Sequence, residues 1–222
     1  MMSIFISRKL EAGSILRKQI GTDEAVWSDQ SLIEFKAVEF IPPSTAWLFF
    51  YSRQGVKFFK SGMGSKHDWN QYKWAAFGPG TASEIFHQLG IKATYSGSSD
   101  PEQISRQLLS ITKPEEITFV RGVNSRKSVQ RTSQEWNNSP ECIVYDNQPL
   151  KNVQLDHFDI AILTSPMNAK TFIANGGNAS HFVAIGQPTF NQIVALKEDA
   201  MVLKAEEPSE ESIANTLKTI MG

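Results

Sequence analysis

Short hydroxyl side chains, glycines and arginines stand where apolar runs of the chain end: Ser7-Arg8, Ser52-Arg53, Gly78-Pro79-Gly80-Thr81, Arg121-Gly122, Ser165-Pro166 and Gly186-Gln187-Pro188-Thr189. If those runs are strands of a parallel sheet, these residues lie at the carboxyl ends, where ligands bind and helix N-termini present N–H groups. The chemistry on offer is anion binding. Glycine lets backbone approach a ligand, Ser or Thr caps the helix, and the helix dipole favours negative charge. The same residue types also serve as ordinary turns and caps. What favours a site is duplication, since Thr81 and Thr189 each stand three residues after a glycine.

Other chemistries find little footing. Gly78-x-Gly80-x-x-Ser83 with Asp100 downstream comes near a dinucleotide fingerprint, but Ser83 replaces the third glycine and the preceding strand does not open the chain. There is no Gly-x-x-x-x-Gly-Lys phosphate loop and no Gly-x-Ser-x-Gly elbow, and Gly62–Lys66 reads as a solvated turn. His67, His87, His157 and His181 lack metal-ligand spacing and read as surface or packing residues, so no metal is expected. Cys142 precedes Ile143-Val144 and reads as a buried, inert thiol. Glu115-Glu116, Glu206-Glu207 and Glu210-Glu211 read as solvated charge runs. Tyr145 lies in a β-prone run beside Asp146, either as a buried, half-apolar phenol or as a group facing a site.

The elements that must position these residues follow from hydrophobic pattern. Ile4–Ser7, Trp47–Ser52, Trp74–Gly78, Ile117–Arg121, Ile160–Ser165, Phe182–Gly186 and Met201–Lys204 are nearly continuous apolar runs, as expected for strands covered on both faces. Ala82–Leu89, Glu102–Leu109 and Ser209–Ile220 have helical spacing. Strand–helix alternation predicts an α/β fold with parallel sheets.

The chain also resembles itself. Phe5-Ile6-Ser7-Arg8 parallels Phe119-Val120-Arg121-Gly122, Leu48–Phe59 parallels Ile162–Ile173, and Ala75–Ile85 parallels Val183–Ile193. Asp100-Pro101 echoes Glu207-Pro208. Ser52 to Ser165 is 113 residues, Gly78 to Gly186 is 108 and Pro101 to Pro208 is 107. Two similar α/β lobes are therefore expected, and the repeat taken alone suggests a cut near residue 113. Two β-prone segments, Leu32–Phe40 and Cys142–Pro149, sit just upstream of the serine strands at matching points of the copies. They are expected to form a hinge.

Composition bounds the partners. Lys and Arg number 22 against 23 Asp and Glu, for a formal charge of −1. A general nucleic-acid or acidic-membrane binder would carry a basic excess. The N-terminus holds no apolar stretch long enough for a signal peptide, and the longest apolar run, Ala46–Tyr51, is far short of a membrane span. A cytoplasmic protein without nucleic-acid or membrane partners is expected.

In order and spacing, Ile6-Ser7-Arg8, Phe50-Tyr51-Ser52, Ala76-Phe77-Gly78-Pro79-Gly80-Thr81-Ala82, Val144-Tyr145, Leu163-Thr164-Ser165-Pro166-Met167-Asn168-Ala169 and Ala184-Ile185-Gly186-Gln187-Pro188-Thr189 resemble the uroporphyrinogen-III synthase family from end to end. The resemblance implies two α/β lobes joined by a two-stranded β connection. One lobe would comprise residues 1–34 plus 149–222 and the other 38–142, with hinge segments near 35–37 and 143–148. It implies a cofactor-free hydro-lyase that cyclises hydroxymethylbilane, a polycarboxylate small molecule, with inversion of the last pyrrole ring. It implies Tyr145 as the group assisting departure of the hydroxyl, and Ser52, Thr81, Ser165 and Thr189 as residues lining the inter-lobe cleft. Gly78 and Gly186 open the same mouths, and Arg8 is favoured over Arg53 and Arg121 as the arginine that reaches substrate. Tyr51-Ser52-Arg53-Gln54-Gly55 departs from the family's usual Thr-Ser-x-Asn-Ala, and Phe190 from its usual Ala. A monomer is expected. The rival reading is a non-catalytic two-lobed binder of an organic anion, and a weaker third is a nucleotide-binding regulatory domain.

Overall fold

The computed structural model describes residues 1–21, 23–64 and 68–222. His67 and part of the Gly62–Lys66 turn lie outside the described residues. In chain order the elements are β1 (Met2–Ile6), α1 (Ile15–Gln19), β2 (Ala25–Asp29), β3 (Ile33–Ala37), β4 (Trp47–Phe50), α2 (Arg53–Met63), β5 (Lys73–Ala76), α3 (Pro79–Leu89), β6 (Tyr95–Ser96), α4 (Pro101–Leu109), β7 (Ile117–Gly122), β8 (Glu141–Pro149), β9 (His157–Leu163), α5 (Pro166–Ala174), β10 (Asn178–Ala184), α6 (Gln187–Leu196), β11 (Val202–Lys204) and α7 (Glu210–Met221).

The chain divides into two units: Met1–Glu34 with Gln148–Gly222, and Phe35–Asn147. The first unit holds a sheet ordered β2-β1-β9-β10-β11, parallel throughout. The second sheet is ordered β3-β8-β7-β4-β5-β6, and β8 through β6 are parallel. β3 differs. The Val38 N–H donates to the Val144 carbonyl at 3.1 Å and the Leu150 N–H to the Leu32 carbonyl at 2.9 Å, so numbers rise on one strand as they fall on its neighbour. This antiparallel β3–β8 pair is the two-stranded connection, and the chain passes between units along it.

The two units share one strand order with the chain cut at a different place. β8-β7-β4-β5-β6 in one corresponds to β2-β1-β9-β10-β11 in the other. In sequence the second unit runs β4 to β8 without a break, whereas the first takes β1 and β2 from the N-terminus and β9 to β11 from the C-terminus. The repeat therefore pairs Phe5 with Phe119 and Leu48 with Ile162. A cut near residue 113 fails because β1 pairs with β9.

Burial explains the continuous apolar runs. Along β1 and β9, Ile4, Ile6, Ile160 and Ile162 pack against Leu16 and Ile20 on one side and Ile213, Ala214 and Leu217 of α7. The alternate residues Phe5, Ala161 and Leu163 face Ala169 and Phe172 of α5 and Ile193 of α6. The second sheet divides likewise, Leu48, Phe50, Trp74 and Val120 facing α2 and α3. Phe49, Phe119 and Ala75 face Ile104, Leu108 and the buried indole of Trp136. Strands covered on both faces need apolar residues at every position. Two strands lack that signature and are not predicted by it: β2, a half-exposed edge strand, and the two-residue β6.

The short helix α1 is secured from outside. Its N-cap Ser14 makes no side-chain cap bond. Instead one Glu210 oxygen, from the first turn of α7, accepts from Ser14 Oγ at 2.8 Å, the Ile15 N–H at 2.6 Å and the Leu16 N–H at 3.3 Å. The other accepts from Arg8 Nη2 at 2.7 Å. Burial pushes the Glu210 carboxyl up, but the Ser14, Leu16 and Ile15 bonds and the Arg8 charge outweigh it and hold it below its ordinary value. A depressed folded-state value gives stability that is present above the unfolded value and lost as pH falls through the folded one. Glu210→Gln is therefore expected to lower the unfolding free energy by about 1–2 kcal/mol at neutral pH. In urea titrations the gap to wild type should close as pH drops below 4.5; a gap that ignores pH would contradict the assignment.

Candidate active site

The carboxyl ends of β4, β5, β7 and β8 surround a cavity of 250 Å³. It is lined by Tyr51 and Ser52 after β4, Phe77 after β5, Gly122 at the end of β7, Asn124 to Ser128 in the loop that follows, and Tyr145 and Asn147 from β8. Tyr145 lies over the end of β7 in this lining. Its hydroxyl lies 3.2 Å from Ser52 Oγ, which also caps α2 by accepting from the Gly55 N–H at 3.1 Å. The phenol ring stacks on Phe58 (centroids 5.5 Å apart) and meets Phe35 edge-on at 5.7 Å.

Gly122 makes room for that ring. The register between β7 and β8 slips at Arg121/Gly122, so that Arg121 opposes Ile143 while Gly122 opposes Tyr145. A Cβ on Gly122 would stand 2.6 Å from Tyr145 Cε2 and Cζ. Only a residue without a side chain lets the ring lie over the strand.

Tyr51 lines the same cavity. Burial drives its phenol far above the usual range, although the hydrogen bond from the Gln130 backbone opposes the shift. Arg121, one of the strand-end arginines, is buried and committed: Nε reaches Glu141 at 3.0 Å, and Nη1 donates to the Gly122 and Val123 carbonyls at 2.9 and 3.2 Å. Arg53 is exposed at the first position of α2.

In the other unit, Ser165 repeats the role of Ser52, accepting from the Asn168 N–H at 3.1 Å to cap α5. Ser7 is buried and bonded to Thr164, Oγ to Oγ1 at 3.0 Å. Arg8 gives Nη2 to Glu210, and its buried Nε has no partner among the described residues. Gly78 and Gly186 are the N-caps of α3 and α6, both in extended backbone. Thr81 and Thr189 are 7% and 2% exposed. Their N–H groups, with those of Ala82 and Phe190, go to the Gly78 and Gly186 carbonyls, and Pro79 and Pro188 have none to give. These mouths are poorer in outward donors than their composition suggests.

Sequence reasoning missed the β7–β8 loop, with Asn124, Arg126 and Lys127, and the ring partners Phe35 and Phe58. Arg126-Lys127 soon after the apolar run that ends at Val120 is the signal that could have found it. The Cys142 thiol is buried and pushed up to about 12, which fits an inert role. His87 and His157 are exposed and His181 half-buried. No group of three His, Cys, Asp or Glu that could hold a metal occurs among the described residues, nor does any of their helices have the length and apolarity to cross a membrane.

Two circularly permuted parallel-sheet units, with duplicated serine-capped and glycine-opened helices at the strand ends and a tyrosine set over one of those ends, define a two-lobed α/β class of protein. The model of uroporphyrinogen-III synthase HemD matches residues 28–215. The chain belongs to the uroporphyrinogen-III synthase family. Among solved structures, it is similar to uroporphyrinogen-III synthetase from Helicobacter pylori, with 17% identity, a TM-score of 0.65, and 99% of this chain and 100% of that one covered. A mutant uroporphyrinogen III synthase from Thermus thermophilus gives 8% identity, a TM-score of 0.58 and 99% coverage of both. At these identities the likeness is one of fold. No curated protein sequence matches the chain significantly.

If Gly122 exists to admit the Tyr145 ring, the two positions must couple. Gly122→Ala is expected to cost about 1–3 kcal/mol of stability, and most of that cost should vanish when Tyr145 is also changed to Ala. Urea unfolding of the four proteins measures the coupling. Additive effects would show that the ring does not depend on the glycine.

Proposed function

We propose that this protein cyclises hydroxymethylbilane to uroporphyrinogen III as a cofactor-free hydro-lyase, with Tyr145 at the reacting end of the substrate. The observation that carries the reading is the Tyr145 hydroxyl, lining a cavity at the strand ends and paired only 3.2 Å from Ser52. Ser52 Oγ already accepts from the Gly55 N–H, so its own proton is free to point at the phenol oxygen. In that arrangement the Tyr145 proton is left to be donated outward.

The reaction begins as the C–O bond of the terminal hydroxymethyl group breaks, the hydroxyl leaving as water with the proton Tyr145 supplies or stabilises. The pyrrole nitrogen lone pair fills the gap and gives an azafulvene. The substituted carbon of the last ring attacks it, forming a spiro intermediate; that intermediate fragments and recloses with the ring inverted. Loss of the final ring proton restores aromaticity, and the net change is release of one water.

The bilane also closes unaided to the uninverted isomer, so the protein must above all hold the substrate's shape and orient the reacting rings. Ser52, Gly78 and Thr81 in one unit and Arg8, Ser165, Gly186 and Thr189 in the other are the binding residues of this reading. Buried Thr81 and Thr189 act by fixing their turns, and the solvent-facing part of the Arg8 guanidinium is a donor for a carboxylate. Local donors of this kind bind a polyanion at a formal charge of −1. The reading places the protein in the cytoplasm as a monomer.

A single proton donor contributes a factor of about 10²–10⁴. Tyr145→Phe should slow formation of the type III isomer within that range while leaving residual turnover, measured by chromatography of the oxidised porphyrins from freshly generated hydroxymethylbilane. Ser52→Ala should cost less, since the phenol remains. A wild-type protein yielding only the spontaneous type I isomer would refute the reading, and a folded Tyr145→Phe variant with no activity would demand a larger role for the tyrosine.

A further inference from the structure

The loop from β7 to β8 brings two adjacent cations to the cavity, and one of them is spent inside the protein. Lys127 Nζ reaches Glu141 Oε1 at 2.8 Å, an oxygen that also accepts from Gln130 Nε2 at 2.9 Å. Arg121 holds the other carboxylate oxygen. Burial pushes the Glu141 carboxyl up, but the Arg121, Lys127 and Gln130 bonds more than offset this and keep it below its ordinary value, hence ionised at neutral pH. One carboxylate thus answers two cations. Arg126 adds a further positive charge. It is exposed, lines the cavity with Ser52 and Tyr145, and makes no ion pair or hydrogen bond with any described residue. The acid on the neighbouring strand, Asp146, accepts from Asn124 Nδ2 at 3.3 Å, so asparagine rather than the arginine meets it.

We propose that Arg126 binds a carboxylate of the substrate's terminal pyrrole, the ring that carries the departing hydroxyl, and thereby sets that ring's position against Tyr145. This assignment rests on the function proposed above. A guanidinium presents a planar fork that takes a carboxylate through two parallel bonds, fixing orientation as well as position. Its neighbours are already tied down: Arg121 precedes it and Lys127 and Gln130 follow it, all three held by Glu141. A loop fixed at both ends loses less freedom when the arginine between them is engaged. Orientation of the terminal ring is what the reaction needs, because unguided closure gives the wrong isomer.

Steady-state kinetics with hydroxymethylbilane test the role. Arg126→Gln should raise KM about tenfold, lower kcat severalfold and increase the share of type I isomer in the product, because the ring is both held less tightly and oriented less well. Arg126→Lys should recover part of the loss, because it restores the charge without the fork. Arg131→Gln makes the same charge change in the same loop region but outside the cavity, and should leave both constants unaltered. Added NaCl should raise the wild-type KM more steeply than that of Arg126→Gln. A separate titration with uroporphyrinogen under anaerobic conditions, followed by protein fluorescence, reads affinity without turnover. If Arg126→Gln matches wild type in both KM and this affinity, the proposal is overturned while the enzymatic reading stands. If wild type binds the macrocycle more tightly than Arg126→Gln but converts no bilane to type III, the enzymatic reading fails and the anion subsite stands. A wild-type chain that neither binds nor turns over sinks both.

Discussion

Each sheet of this protein is buried on both faces, and that constraint decides where chemistry can occur. Ile4, Phe5 and Ile6 of β1, all four residues of β4 and all six of β7 are shut away from solvent. Side chains along such strands are committed to the helices above and below, so polar chemistry is displaced to the strand ends. There the chain leaves the sheet, and short residues let it turn into the next helix. The serines at 52 and 165 and the glycines at 78 and 186 are first of all solutions to that turning problem. Their suitability for anions is a consequence of the same geometry.

Duplication supplies matching turns, but it does not supply matching sites. The strand that ends in Arg121-Gly122 corresponds to the one that ends in Ser7-Arg8, so arginine occupies the place of the glycine on which Tyr145 rests. That arginine turns to Glu210 and helps secure α1. The unit built from the two ends of the chain has therefore used its strand end to fasten a short helix. The uninterrupted unit has used the equivalent position to lay a phenol over its backbone. One internal repeat thus carries an ion pair that fastens a helix and the other a phenol laid on its backbone, and the difference turns on whether a Cβ is present.

The architecture was legible in the sequence wherever burial leaves a one-dimensional trace. Phe49 beside Phe50 and Ile160 through Leu163 announce strands because both faces must be apolar, and the paired serines and glycines align the copies. What the residues could not announce was connectivity. The neighbour of β1 is β9, more than half the chain away, and only the resemblance to a family suggested that division. Of the candidate site, Tyr145 and Ser52 could be singled out by type and place, and their hydroxyls lie 3.2 Å apart. Gly122 stood among the strand-end residues, but its purpose depends on a register slip against β8 that leaves no mark in composition. Thr81 and Thr189 are the opposite case: their spacing was plain, yet burial turns them from exposed caps into packing residues.

Charge balance at the β7–β8 loop leaves one exposed cation unneutralised in a nearly neutral chain. Arg121 is almost wholly buried, and a buried guanidinium without a partner would be costly. Glu141 meets that need, and having done so it has acceptor capacity left for Lys127 and Gln130. The carboxylate that stabilises the buried arginine thus also draws the loop into shape. Because Glu141 sits on β8, four residues before Tyr145, the same strand fixes both the loop's anchor and the phenol. A change at the anchor would therefore disturb Tyr145 and the loop's cations together, whereas a change at Arg126 touches the cations alone.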